Sequence, residues 1–134
     1  MFDHIGVVVS DRERGWRFYE RILAPLGIRV MERYPRPNGE GWAVMSTGAP
    51  QSPFFVVAAG RPSFWTEGSQ AAQSPVHLCF SAPSKEAVDQ FHALGLEAGG
   101  RDNGAPGIRR QPFYCAFLID PDGNNVEAGA YLKA

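Results

Sequence analysis

Phe2-Asp3-His4-Ile5-Gly6-Val7-Val8-Val9-Ser10-Asp11, residues 2–11, decides how the rest of the chain is read. Its β-branched run predicts a buried strand. Ser10 or Asp11 offers a helix N-cap, and Glu13 strengthens the start. Beyond the cap, Trp16, Tyr19, Ile22, Leu23 and Leu26 recur at helical spacing, while Arg12, Arg14, Arg17, Glu20 and Arg21 fill the other face. A helix is therefore predicted over Arg12–Leu26, with Pro25 kinking or ending its last turn and Gly27 stopping it. Strands are predicted at Ile28–Tyr34, Trp42–Ser46 and Pro53–Ala59, with a Pro/Asn/Gly loop at Pro35–Gly41 and a turn at Thr47–Ser52. The first half thus reads strand, helix, strand, strand, strand.

The same order returns after Gly60–Ser74, a Gly/Pro/Ser/Gln-rich linker whose Phe64-Trp65 pair suits a lid. Pro75-Val76-His77-Leu78-Cys79-Phe80-Ser81 predicts a strand. Ser84 caps a helix to about Ala98, ended by Gly99-Gly100. A short strand near Arg101–Gly104, a loop at Ala105–Gln111 and a strand at Pro112–Ile119 follow. Asp120-Pro121-Asp122-Gly123-Asn124 is a turn, which accounts for both aspartates, and Asn125–Tyr131 closes the half.

An offset of 73 residues carries His4 onto His77 and Phe54 onto Glu127, so corresponding strands begin and end together. Side chains alternate along a strand. His77 therefore shares a face with Cys79, and Glu127 shares one with Asn125 and Gly129. If the apolar set faces the helices, His4, His77 and Glu127 are left in the cleft of a curled sheet.

The chain has 134 residues, 44% of them hydrophobic and 20% charged, with a net charge of -1. That suits one domain with a real core and offers no basic field for nucleic acid or an anionic membrane. No apolar run approaches a membrane span, and the N-terminus lacks the features of a signal peptide, so a cytoplasmic protein is expected. The two cysteines, Cys79 and Cys115, sit in apolar runs without a Cys-x-x-Cys pair. They read as small hydrophobes, neither disulfide-bonded nor holding a structural zinc.

The opening motif, Trp16-Arg17-Phe18-Tyr19, Leu26-Gly27 and the terminal run Phe117-Leu118-Ile119-Asp120-Pro121-Asp122-Gly123-Asn124-Asn125-Val126-Glu127 together resemble the vicinal oxygen chelate superfamily. That superfamily includes glyoxalase I, bleomycin-resistance proteins and extradiol dioxygenases. The resemblance implies an α+β fold: two βαβββ modules, 1–59 and 75–134, joined by the linker 60–74 into one domain, their mixed sheets forming a half-barrel-like cleft. It implies metal ligands on the first and last strands of each module. Carried over, these are His4, a position near Phe54 or Phe55, His77 and Glu127. Phenylalanine at the second position departs from a glyoxalase-like carboxylate. Two histidines and one glutamate suit a divalent Fe, Mn, Ni or Zn ion with open positions for a small oxygen-chelating substrate. The implied chemistry is that of a lyase, isomerase or dioxygenase, and the implied assembly is a homodimer, which in some members exchanges modules.

Each assignment has a plainer counterpart. A strand histidine is more often structural than a ligand. Glu127 is costly to bury without a cation, yet could face solvent or pair with arginine. His92, mid-helix, reads as a surface residue. Phe54 and Phe55 could wall an apolar pocket. Arg109, Arg110 and Tyr114 could hold a substrate carboxylate or phosphate, or be solvated loop residues. The rival to an enzyme is a non-catalytic protein of the same fold that sequesters a small molecule or drug.

Overall fold

The computed structural model describes residues 1–60 and 74–133. Phe64 and Trp65 lie outside the described residues. In chain order the elements are β1 (His4–Val9), α1 (Arg12–Leu23), β2 (Arg29–Pro35), β3 (Gly41–Ser46), β4 (Phe54–Ala59), β5 (His77–Ser81), α2 (Lys85–Glu97), β6 (Arg101–Arg110), β7 (Phe113–Ile119) and β8 (Asn125–Tyr131). They form two four-stranded sheets, ordered β1-β4-β3-β2 and β5-β8-β7-β6. In each, the first strand runs parallel to the last, and the other pairs are antiparallel. The expected α+β pair of βαβββ modules is what the chain forms, with each sheet left open. Among the described residues no helix is long and apolar enough to cross a membrane.

Alternation sorts each strand into a helix side and an open side. Val7, Val9, Ala43, Met45, Phe55, Val57 and Ala59 of the first sheet join Trp16, Tyr19, Ile22 and Leu23 of α1 in the core. Tyr114, Ala116, Leu118, Val126, Ala128 and Ala130 of the second sheet join Val88 and Phe91 of α2 in the same cluster. His4, His77, Asn125 and Glu127 fall on the open sides by the same alternation.

α1 starts where its sequence says it should, with the Asp11 carboxylate accepting from the Arg14 N–H at 2.8 Å. It stops earlier than the apolar spacing predicts. Pro25 has no N–H for an α-helical bond, so Ala24–Leu26 form a 3-10 turn that Gly27 closes at φ 79°.

The second module contains two corrections. Arg101–Arg110 is one irregular ten-residue strand, rather than a short strand followed by a loop. Its register shifts at Asp102/Gly104, Gly104/Gly107 and Ile108/Arg110, and as an outer strand it tolerates Pro106. His92 is buried rather than on the surface, its Nε2 2.8 Å from Asp102 Oδ1 on β6.

The modules are tied together through the terminal turn. The Tyr19 hydroxyl donates to Asp120 Oδ2 at 2.6 Å, and Asp120 also accepts from the backbone N–H groups of Asp122 and Asn124. Asn124 Nδ2 donates to Val8 O of β1. Burial, then the Asp120 charge, holds the Tyr19 phenol well above its ordinary pKa.

Candidate functional site

β5 and β8 bring two of the three expected ligands together. His77 pairs with Asn125 and Cys79 pairs with Glu127, so Glu127 stands diagonally across from His77 on the open side. His77 Nε2 lies 2.7 Å from Glu127 Oε2, and His77 Nδ1 lies 2.6 Å from Asn125 Oδ1. Both ring nitrogens therefore face acceptor oxygens, and a neutral imidazole has a hydrogen for only one of them. The Nε2–Glu127 contact is at hydrogen-bond distance, and Asn125 holds the ring from its Nδ1 side. Within one chain this is a two-donor set, and a divalent ion needs at least one further protein ligand. Asn125 shares the face of Glu127 by strand alternation, but the sequence gives no signal that it partners His77.

Glu127 is a buried carboxylate, 7% exposed. The Cys79 and Cys115 thiols both lie near enough to feel its charge. Partial burial first, and then the Glu127 charge, pushes the Cys79 thiol up to about 12. Burial first, and then Glu127, pushes Cys115 up to about 11. Both cysteines are held as neutral thiols beside the carboxylate.

His4 is placed differently. It is exposed on β1, with Nδ1 2.6 Å from Asp3 Oδ1 and its ring stacked on Phe54 at 4.6 Å. Among the described residues of one chain, no group of three or more His, Cys, Asp or Glu could hold a metal ion. The pair His77/Glu127 is formed within the chain, and His4 does not join it there.

Strand register also corrects the repeat. His4 pairs with Phe54, as His77 pairs with Asn125, and Gly6 pairs with Val56, as Cys79 pairs with Glu127. The counterpart of Glu127 is Val56, not Phe54 or Phe55. The path from first to last strand is two residues longer in the first module, so a constant offset misplaces the position. Val56 is as unable to ligate as phenylalanine, and the first module still lacks a carboxylate there.

A cleft of about 640 Å³ runs where the outer strands β1 and β5 face one another. His4, Phe54 and Phe55 line it from the first module, and His77, Cys79 and Phe80 from the second. Phe55 is mostly core, with its ring against Tyr19 and Phe80. Arg109 lies on the open side of the second sheet, 5.8 Å over Phe117, whose ring stands 5.9 Å from His77. Tyr114 faces the other way. It packs toward α2, its hydroxyl donating to Asp89 Oδ1 at 2.6 Å, which takes it away from the ligands it was expected to join.

The family model described as the glyoxalase/bleomycin resistance protein/dioxygenase superfamily matches residues 1–128. The chain belongs to this superfamily. A glyoxalase/bleomycin resistance protein from Albidiferax ferrireducens T118 is similar at 31% identity, over 98% of this chain and 99% of that one, with TM-score 0.78. A glyoxalase/bleomycin resistance protein/dioxygenase family enzyme from Burkholderia phytofirmans PsJN shares the fold at 20% identity, covering 97% and 98%, with TM-score 0.67. So does a mutant of FosX, a genomically encoded fosfomycin resistance protein from Listeria monocytogenes, complexed with Mn(II) and 1S,2S-dihydroxypropylphosphonic acid. Its identity is 15%, its coverage 98% and 90%, and its TM-score 0.65. No curated protein sequence matches the chain. In this superfamily member, Val56 stands opposite Gly6, and Glu127 meets His77 at 2.7 Å.

Proposed function

We propose that this superfamily member is a metal-dependent enzyme acting on a small substrate through adjacent oxygens, by lyase or dioxygenase chemistry. The observation that carries the reading is the His77–Glu127 contact at 2.7 Å, backed by Asn125. His77 and Glu127 of one copy and His4 of a second copy would hold an Fe, Mn, Ni or Zn ion, making the working unit a homodimer. His4 suits that role because it is exposed on an outer strand. A divalent ion bound there supplies a Lewis acid with open positions for the substrate. The chain's own residues do the rest. Asn125 sets the His77 ring, the neutral thiols of Cys79 and Cys115 lie beside the Glu127 carboxylate, and the Phe117 ring stands 5.9 Å from His77. Val56 offers no second carboxylate base, which disfavours glyoxalase-type isomerisation.

The test is titration of chelator-treated protein with Mn(II), Fe(II), Ni(II) and Zn(II). Stoichiometric binding of one of these, lost in His77→Ala and Glu127→Gln, is expected. Failure of all four to bind overturns the reading.

One observation favours a second reading, a non-catalytic binding protein. The cleft between β1 and β5 is walled by Phe2, Phe54, Phe55, Phe80 and Met45. Tight binding of an apolar ligand that survives both chelator and His77→Ala would select this reading.

A further inference from the structure

The open side of the second sheet carries another chemical end. Phe113, Cys115 and Phe117 alternate with the core residues Tyr114, Ala116 and Leu118 along β7. They therefore share a side with Glu127. Two exposed arginines of β6 lie over that side. The Arg109 guanidinium sits 5.8 Å from the Phe117 centroid, and that of Arg110 sits 5.7 Å from the Phe113 centroid.

Neither is placed by chance of a long side chain. Arg109 doubles back along its own strand and donates to Ala105 O at 2.5 Å. It passes so close to Gly107 that a Cβ there would come within 2.8 Å of a guanidinium nitrogen. Phe113, the seat of Arg110, is braced by Tyr131 at 4.8 Å. Both cations sit near enough to Cys115 to draw its thiol down against the stronger upward push of burial and Glu127.

Neither guanidinium is in an ion pair among the described residues, although Arg109 is near enough to Asp102 to help lower the pKa of its carboxyl. Arg12, Arg14, Arg21 and Arg33 each meet a carboxylate within 4.0 Å, whereas Arg109 and Arg110 meet none among the described residues. A fork of N–H donors on an aromatic seat, exposed and with no carboxylate within ion-pair distance among the described residues, is arranged to receive an anionic oxygen group. Phe117 links the two groups, its ring centroid lying 5.8 Å from the Arg109 guanidinium and 5.9 Å from the His77 ring.

We propose that Arg109 and Arg110 form an anion subsite that takes a terminal carboxylate or phosphate of the substrate, whose oxygen-chelating end meets His77 and Glu127. The chelating end rests on the metal reading above, while the anion contact stands on the arginines themselves. The substrate class is then a small molecule bearing adjacent oxygens at one end and an anionic group at the other, with an aromatic or flat middle lying along Phe117.

The test uses metal-free, isotope-labelled full-length protein and two probes, benzoate for the carboxylate and phenyl phosphate for the phosphate. At least one probe should saturate shifts of the Arg109 and Arg110 side-chain N–H signals at millimolar concentration. The better-binding probe identifies the anion. The paired variant Arg109→Gln/Arg110→Gln should weaken that binding at least about tenfold, and Arg17→Gln, an exposed arginine on α1, should leave it unchanged. Absence of saturable shifts with both probes overturns the proposal, as does binding that survives the paired variant or is lost equally in Arg17→Gln. A parallel Mn(II) titration separates the two ideas, because failure of the metal reading removes Mn(II) binding and leaves the anion shifts in place.

Discussion

His77 Nε2 and Glu127 Oε2 lie 2.7 Å apart, on neighbouring strands of one module, while His4 stands on the outer strand of the other module against Asp3 and Phe54. A three-ligand centre built this way needs two copies, and that is checked by complementation. His4→Ala and Glu127→Ala should each bind little metal alone. In a mixed dimer, one of the two sites regains all three ligands, so co-refolded protein should recover part of the Mn(II) binding. A site built within one chain gives no recovery. Asn125→Ala, which frees the His77 ring without removing a ligand, should weaken metal affinity by about 10- to 100-fold.

The thiols report on Glu127 without any metal. A thiol with a pKa of about 12 is only about one part in ten thousand thiolate at pH 8, against roughly a quarter for an ordinary cysteine. Cys79 should therefore react slowly with iodoacetamide in spite of its exposure. Glu127→Gln removes the charge that is the second cause of the shift. Alkylation of Cys79 should then accelerate, by about tenfold or more for each unit of pKa recovered. An unchanged rate, followed by mass spectrometry, would mean that Glu127 does not govern the thiol.

The modules are legible in the sequence because their signals are local. Ile5–Val9, the Trp16/Tyr19/Leu23 spacing and the Asp120–Asn124 turn each specify their element within a few residues. What stays hidden depends on partners far along the chain. β6 looks like a loop by its glycines and Pro106, yet the edge of β7 offers it a ladder. His92 reads as exposed until Asp102 of β6 meets it. The two histidine strands and Glu127 can be named as ligand candidates, but the identity of Val56 as the counterpart of Glu127 depends on loop length. Tyr114 turns toward α2, against expectation, because a strand's phase is set by its neighbours and not by the aromatic itself.

Asp102 gives a pH dependence with a definite sign. A hydrogen bond from His92, and then one from the Gly104 N–H, holds its carboxyl below the ordinary value. A carboxyl with a lowered folded pKa contributes stability above its unfolded pKa, and that contribution is lost as pH falls through the folded value. Asp102→Asn should therefore be less stable than the parent at neutral pH, and the gap should narrow below about pH 4. Urea midpoints taken across that range decide it, and a gap that stays constant with pH counts against the pairing.

Tyr19 and Asp120 test the join between modules. Their 2.6 Å bond connects α1 to the terminal turn, and both residues are buried. Tyr19→Phe keeps the ring and removes the hydroxyl, leaving a buried carboxylate oxygen short of a donor. Hydrogen bonds to charged groups contribute about 1.5–3 kcal/mol, and a loss in that range is expected. The urea midpoint should fall while the slope holds, because the same surface is exposed on unfolding.

Gly129 links the stability of the second sheet to its open side. A Cβ there would collide with Cζ of Phe113, so Gly129→Ala must displace the ring. Overpacking of this kind costs about 1–3 kcal/mol. If Phe113 is the reason, the cost should largely vanish in the Phe113→Ala background, giving a strong coupling between the two substitutions in a double-mutant cycle. Additive costs would place the need for glycine in the backbone instead. The same displacement takes away the seat over which Arg110 lies. Gly129→Ala should therefore weaken benzoate or phenyl phosphate binding while leaving the His77–Glu127 pair intact, because that pair depends on β5 and β8 register and not on the Phe113 ring.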